Sequence, residues 1–131
     1  MKNLKQSILE KLIINKHSNV KKYYYHPKTR DELKELVDKL IKERGDNANL
    51  NDIDTSEITN MYKLFYGLRF NGDISNWNVS NVKDMDCMFK NSMFSGDISK
   101  WNVNKAKQKH NILNMFDNSP LEENPPKWYK N

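Results

Sequence analysis

The sequence repeats itself at an interval of 24 residues. The segment that runs from Phe70 to Phe94 begins again at Phe94, and Trp77 and Trp101 are separated by the same interval. A fixed period in the twenties is typical of repeat architectures, in which a single unit cannot bury its own apolar face and must stack on its neighbours. The repeat therefore predicts a solenoid with a core one layer thick.

A weaker copy precedes the clear unit, and a lengthened copy follows it. Subtracting 24 from eight apolar positions of this unit gives seven apolar residues and one exception, Thr55; the eight positions are Ile74, Trp77, Val79, Val82, Met85, Met88, Phe89 and Phe94. Forward, the interval from Phe89 to Phe116 is 27, so three residues are inserted around residues 105–111. We predict three units, at residues 46–69, 70–93 and 94–121.

Each unit is predicted to form a strand followed by a short helix. In the clear unit, Trp77 and Val79 alternate with polar residues, as in a strand with one buried face. Ser80 is then a helix cap, and the apolar residues that follow it recur at helical spacing. The fold class is therefore expected to be α/β, a short leucine-rich-repeat-like solenoid of about three strand–helix units with an N-terminal helical cap. The predicted helix buries Val82, Met85, Met88 and Phe89.

The N-terminal flank, residues 1–45, is predicted to be a helix/strand/helix cap for the first unit. Residues 3–15 have apolar residues at three- and four-residue steps, which indicates an amphipathic helix. Residues 20–26 have strand composition, and Tyr23 to Tyr25 are expected to pair alongside the repeats. Thr29 begins a capping-box helix that extends to about residue 44 and ends at Gly45.

The C-terminal flank, residues 122–131, is predicted to be a cap tail. Pro125 and Pro126 exclude a helix through this segment. Trp128 and Tyr129 can then lie over the open end of the last unit.

Composition restricts the class of protein. The 131 residues carry a net charge of +5, with 37% hydrophobic and 30% charged residues, which is thin for a compact core. Residues 1–48 contain 12 Lys and Arg against 7 Asp and Glu, whereas residues 49–131 contain 10 against 10. The single cysteine, Cys87, excludes an internal disulfide and an all-cysteine metal site. No secretory signal or span of ~20 apolar residues is recognised, so we expect a cytoplasmic protein of a bacterial host cell.

Residues 70–94 resemble the BspA-like leucine-rich repeat family, whose hallmark is F-x-G-D-I-S-x-W-N-V-S-x-V-x-x-M-x-x-M-F. Residues 94–103 and 115–121 also resemble it, and residues 46–70 do so in spacing. This resemblance implies a curved solenoid that binds proteins and has no catalytic activity. The asparagine of a eukaryotic-type ladder is replaced by Val82, so no asparagine ladder is expected. The abundance of Lys and Asn also predicts that the gene belongs to an AT-rich bacterial or phage genome.

The polar residues of the predicted strand face are candidates for contact with a protein partner. On a solenoid they would form successive rungs of one surface, and repeat arrays commonly bind along such surfaces. Some of these residues, such as Ser56 and Ser80, are instead candidate helix caps. The partner-binding candidates are Asp52, Asp54, Asn76, Asn78, Lys100, Asn102 and Asn104.

The sequence predicts neither an enzyme nor a cofactor. His17, His26 and His110 have no partner at metal-ligand spacing, and no catalytic or phosphate-binding motif is present. Asp73 and Asp97 are expected to bind backbone amides of the turns between units, because one carboxylate per turn is too few for calcium. The repeated tryptophans and methionines are expected to be core residues.

The leading functional hypothesis is a non-enzymatic protein-interaction module whose partner is another protein. In its narrower form the protein is a phage- or mobile-element-encoded inhibitor of a host protein, of the anti-defence or anti-CRISPR type. One alternative is a nucleic-acid-binding protein that uses its basic N-terminal segment. Another is a self-assembling structural or surface-associated repeat protein, with a homodimer through helix 3–15. The candidate nucleic-acid contacts are Lys21, Lys22, Lys28, Arg30, Lys105, Lys107 and Lys109.

Overall fold

The computed structural model describes residues 23–130, and residues 1–22 and 131 are outside the description. Between residues 23 and 130 the backbone forms helices and turns but no strand, and parallel pairing is limited to isolated bridges. The predicted α/β solenoid of strand–helix units is therefore wrong. The predicted helix 3–15 is outside the described residues. The helices within them are α1 (Arg30–Arg44), α2 (Asn104–Gln108), a 3-10 helix (Pro120–Glu122) and α3 (Lys127–Lys130).

Helix α1 begins and ends as the sequence predicts. The Thr29 hydroxyl accepts a hydrogen bond from the Glu32 backbone N–H at 3.1 Å, which satisfies one of the unpaired donors of the first turn. The Glu32 carboxylate reaches back to the N–H of Lys28 at 2.8 Å, one residue before the predicted position. Gly45 ends the helix with φ 95 and donates its N–H to the Ile41 carbonyl. The buried residues of α1 are Leu33, Val37 and Leu40.

The repeated apolar residues stack in columns, although the units contain no strands. We name residues 46–69, 70–93 and 94–121 coil 1, coil 2 and coil 3. The rings of Phe65, Phe89 and Phe116 stack almost in parallel, with centroids 5.4 and 5.7 Å apart. The Phe70 and Phe94 rings stack at 6.1 Å. Because each ring is buried and touches its counterpart in the next coil, the columns form one continuous core.

Stacked β-turns replace the predicted repeat helices. In coil 1 the N–H groups of alternate residues from 61 to 67 donate to carbonyls of coil 2 at 2.8 to 3.1 Å. The residues between them close turns, as when Leu64 donates to the Met61 carbonyl. These turns need left-handed residues, and Lys63 (φ 54) and Cys87 (φ 57) occupy equivalent positions. An α-helix would direct all its N–H groups along its own chain, whereas these turns direct every second one at the neighbouring coil.

The segments predicted as strands are corners between turns. The indole N–H of Trp77 donates to the Leu50 carbonyl at 2.9 Å, and that of Trp101 donates to the Ile74 carbonyl at 3.2 Å. The two tryptophans are therefore equivalent, each anchored to the coil before its own. Their alternation with polar residues matches a strand pattern, but the polar side chains turn the backbone instead of facing solvent in a sheet.

Both ends of the stack are covered. Tyr25 pairs with Ile53 in a parallel bridge and packs against the core, beside α1. At the other end the Trp128 indole donates to the Ile98 carbonyl at 2.9 Å, which continues the tryptophan series. The centroid of the Tyr129 ring lies 4.9 Å from that of the Phe116 ring, so Trp128 and Tyr129 together cover the last coil.

Candidate interaction surfaces

The first candidate surface is formed by the stacked turns. We define the turn face as the outward side chains of residues 59–69, 83–93 and 110–120. In coil 1 Met61, Leu64 and Phe65 are buried and the residues between and after them face outward, so equivalent side chains of successive coils form columns. The three central columns are Tyr62, Asp86 and Leu113; Lys63, Cys87 and Asn114; and Tyr66, Lys90 and Asp117.

Large apolar side chains are exposed on the turn face. The exposed fractions are 41% for Tyr62, 38% for Tyr66, 58% for Met93 and 61% for Leu113. Lys63 lies between the two tyrosines, with its ammonium 5.3 and 4.9 Å from their ring centroids. Such cation–π contacts favour this placement of the two rings before any partner arrives.

The carboxylates and amides of the turn face mainly support the backbone. Asp86 accepts the Leu113 N–H at 2.7 Å, and Asp84 accepts the Asp86 N–H at 2.9 Å. The Asn91 amide donates to the Tyr66 hydroxyl at 3.2 Å and accepts from the Asn118 amide at 3.0 Å. The apolar side chains therefore stand on a backbone fixed by hydrogen bonds across all three coils.

The second candidate surface contains the residues predicted to bind a protein. We define the corner face as the outward side chains of residues 49–57, 73–81 and 97–105. Asp54, Asn78 and Asn102 form one column, and each side-chain oxygen accepts the backbone N–H two residues later at 3.0 to 3.1 Å. The side chains of these residues therefore form the corners of the backbone. Their outward atoms are still predicted to contact a protein partner.

Two of the predicted acidic contacts are also paired with basic residues. Asp52 receives two hydrogen bonds from the Arg44 guanidinium, at 3.0 and 2.9 Å, and this raises the pKa of Arg44. Asp54 lies 3.3 Å from the His26 ring nitrogen. Burial raises the pKa of Asp54, but hydrogen bonds from Ser56 and His26 outweigh it, and the net shift is downward.

The remaining predicted contacts are exposed on the corner face. Asn76 and Lys100 occupy one column with Asp52, and Asn104 begins α2. Asp73 and Asp97 bind backbone amides, as expected, but within their own coils: each accepts the N–H and hydroxyl of the serine two residues later. These hydrogen bonds lower the pKa of both carboxyls. Columns of asparagine and aspartate side chains are therefore present, but they lie at the corners and not at the position of Val82.

The predicted nucleic-acid contacts fall into two separate groups. Lys28 is paired with Glu57 at 3.1 Å, and Arg30 is bound to Asp31 and to the Tyr62 carbonyl. Lys21 and Lys22 lie outside the described residues. The other group, Lys105, Lys107 and Lys109, lies in and directly after α2.

A shallow groove separates α1 from coil 1. Its volume is about 230 Å³, and it is lined by Ile41, Leu68 and Phe70 with charged residues at the rim. In residues 23–130 no cluster of His, Cys, Asp and Glu is arranged to hold a metal ion. The helices of that same range are too short or too polar to cross a membrane.

Residues 32–129 match the family described as "Mycoplasma protein of unknown function, DUF285". The match runs from the first turn of α1 to the residue that covers coil 3. This chain belongs to the DUF285 family. No curated protein and no solved structure matches the chain.

The DUF285 match includes both candidate surfaces and leaves Tyr25 and Thr29 outside. Sequence reasoning missed the turn face, because it assigned the segment after Ser80 to a helix. One signal was available: Tyr62, Tyr66 and Leu113 are large residues at outward positions of the repeat, where small polar or charged residues are the usual choice.

Proposed function

We propose that this protein is a non-enzymatic protein-interaction module that binds its partner through the turn face. The observation that carries the proposal is the position of the four exposed large apolar residues of the described chain, all of which belong to the turn face. Exposed aromatic and aliphatic side chains grouped on one surface mark protein-binding sites, and tyrosine is enriched among the residues that contribute most to binding.

The rigidity of the turn face supports this proposal. In coils 1 and 2, every second backbone N–H of the turn face donates to a carbonyl of the next coil. The Lys63 ammonium lies 5.3 and 4.9 Å from the centroids of two tyrosine rings. A partner would therefore meet side chains that are already ordered, and less conformational entropy would be lost on binding.

The repeat itself gives further support. We include in the proposal that the 24-residue unit is of the BspA-like type, a resemblance that implies protein binding. The corner face is the second surface available to a partner, through Asn76, Lys100 and the outward atoms of Asn78 and Asn102. The narrower hypothesis of a mobile-element-encoded inhibitor of a host protein remains a prediction from chain length and composition.

Self-assembly by end-to-end stacking is less favoured, because both ends of the stack are covered. Trp128 fills the position that an indole of a further coil would take. The ring of Tyr129 also packs edge-on against the Phe116 ring, with the ring centroids 4.9 Å apart.

Site-specific photo-crosslinking tests the proposal. A photoreactive phenylalanine derivative is placed at position 66 or 113 of the full chain and, as a control, at exposed Lys39 on α1. The proposal expects the same protein to be crosslinked from both turn-face positions in bacterial lysate. The crosslink to that protein should also disappear when the photoreactive variant additionally carries Tyr62→Ser. Equal capture from position 39, or capture that survives Tyr62→Ser, would contradict it.

A further inference from the structure

A lysine lies between the two exposed tyrosine rings of coil 1. The Lys63 ammonium is 5.3 Å from the centroid of the Tyr62 ring and 4.9 Å from that of the Tyr66 ring. The Tyr66 N–H donates to the Lys63 carbonyl at 3.2 Å, which closes a turn and keeps residues 63 and 66 close together. We name Tyr62, Lys63 and Tyr66 the tyrosine–lysine cluster. The equivalent residues of the other coils do not repeat it; they are Asp86, Cys87, Lys90, Leu113, Asn114 and Asp117.

The Lys63 ammonium has no anionic partner within the described residues. It forms neither a hydrogen bond nor an ion pair with any residue from 23 to 130, although Lys63 is half-buried. Asp86 is joined to Lys63 through the backbone, since the Asp86 carbonyl accepts the Lys63 N–H at 3.1 Å. The Asp86 carboxylate, however, accepts the Leu113 N–H of coil 3 at 2.7 Å and is not paired with Lys63. The ammonium therefore keeps its charge and its three N–H donors for an external group.

The backbone of coil 1 does not require a lysine at position 63. Lys63 adopts a left-handed φ of 54, a conformation that a residue with a Cβ rarely takes. Asn114, its counterpart in coil 3, has nearly the same φ, 55, and asparagine enters this conformation more easily than lysine. Residues held in sparsely populated conformations cluster at functional sites, where the surrounding structure keeps them in place. Lys63 is therefore a candidate for a role other than closing the turn.

We infer that the tyrosine–lysine cluster binds an acidic side chain of the protein partner, an Asp or Glu that is flanked by apolar residues. This inference rests on the proposed function and names the chemistry that the turn face would recognise. The Lys63 ammonium would donate a charge-assisted hydrogen bond to the carboxylate. The exposed rings of Tyr62 and Tyr66 would cover the apolar residues beside that carboxylate.

Two features of the cluster favour a carboxylate over a phosphate group. The tyrosine rings replace part of the water around the ammonium, and a pair of opposite charges attracts more strongly where water is reduced. Phosphate groups on proteins are recognised mainly by clusters of arginine. Arg30 donates to the Tyr62 carbonyl at 3.0 Å and is paired with Asp31, so its guanidinium is already engaged beside the cluster.

Three short peptides, added to the full chain, test the inference. They are capped at both ends and read Gly-Leu-Glu-Leu-Gly, Gly-Leu-Gln-Leu-Gly and Gly-Leu-phosphoserine-Leu-Gly. Binding is followed through the amide NMR signals of residues 61–67. The glutamate peptide should bind about tenfold more tightly than the matched glutamine peptide, which is the effect of one hydrogen bond between charged groups. Lys63→Gln should remove this preference and Lys63→Arg should retain it. The control is Lys39→Gln, which removes the same charge from α1 and should leave the preference unchanged.

Three results of the peptide titration would overturn the inference. Equal affinity of the glutamate and glutamine peptides for the unmodified chain would do so, whether or not the variants fold. An equal loss with Lys63→Gln and Lys39→Gln would do so, because it would show attraction to net charge alone. Tighter binding of the phosphoserine peptide would replace the carboxylate with a phosphate group as the ligand.

The crosslinking test separates this inference from the proposed function. If position 113 captures the partner equally well in a chain with Lys63→Gln, the inference is overturned and the proposed function stands. If the glutamate peptide is preferred but no partner is captured, the cluster is supported as a carboxylate site and the proposed function is contradicted.

Discussion

The two junctions of the stack have the same geometry over different lengths of chain. Between coils 1 and 2 equivalent ring residues are 24 apart, and between coils 2 and 3 they are 27 apart, yet the ring centroids are 5.4 and 5.7 Å apart with nearly equal tilt. The alternating backbone hydrogen bonds are also the same. The register of the coils is therefore determined by the buried columns and the turns, and not by the number of residues that connect them.

Replacing the ring that both junctions share should have the largest effect. Phe89 is fully buried and stacks on Phe65 below and Phe116 above. Phe89→Ala should lower the free energy of unfolding by about 3 to 5 kcal/mol, because a cavity would open at both junctions. Urea unfolding followed by tryptophan fluorescence measures this. A loss below that of Ile53→Val, which shortens one aliphatic side chain in coil 1, would contradict a shared stacking column.

Two glycines at equivalent positions compare the junctions directly. A methyl group at Gly72 would overlap the backbone carbonyl of Ala48, whereas one at Gly96 would meet mainly the Phe94 ring edge, at 2.7 Å. Since a ring edge can shift more easily than backbone, Gly72→Ala should cost about 3 kcal/mol and Gly96→Ala about 1 kcal/mol. Thermal unfolding of both variants measures the difference. Equal losses of stability in the two variants would contradict the expected difference between the two junctions.

Removing the insertion should have a smaller effect. Ala106 is the counterpart of Val82, so deleting residues 107–109 would restore the interval of 24. The deletion should cost less than about 2 kcal/mol, because a single short helix contributes little stability by itself. A well-dispersed NMR spectrum with the three indole N–H signals retained would confirm it. Loss of those signals would show that α2 maintains the register after all.

Acid should weaken the corners slightly. The serine hydrogen bonds lower the pKa of Asp73 and Asp97 in the folded state, so both carboxylates stabilise the fold above their unfolded pKa of about 3.9. This contribution is lost as pH falls through the lower, folded value. Asp73→Asn with Asp97→Asn should therefore make stability less dependent on pH below about pH 4. Glu123→Gln is the control, and an identical acid profile for all three proteins would exclude a role of the corners.

The columns could be predicted from the sequence, but their backbone could not. Residues such as Trp77 and Trp101 recur in register with their apolar neighbours, and a buried side chain is a strong sequence signal. The turns depend on Lys63 and Cys87 in left-handed conformation, which residue type alone does not indicate, because lysine and cysteine rarely adopt it. Alternation of polar and apolar residues at the corners matches a strand equally well.

The surfaces were predictable only in part, for the same reason. Asn78 and Asn102 are 24 residues apart and share a column, but their side-chain oxygens form corners, and that use depends on the conformation of the next two residues. The lysines of the insertion were recognisable from the broken repeat. The turn face was not predicted, because its backbone was assigned to a helix and the candidate partner contacts were taken from the predicted strand face.

Coil 2 receives and passes on the same set of backbone hydrogen bonds, from 61–67 below it and to 111–117 above it. Its carbonyl side and its N–H side are therefore complementary to each other, and a tandem duplication of residues 70–93 could be inserted without altering either end. Each extra copy would lengthen the molecule by about 4.8 Å, the usual spacing of hydrogen-bonded neighbouring chains. The length of such a protein can therefore change by one whole repeat at a time, through duplication of the corresponding gene segment.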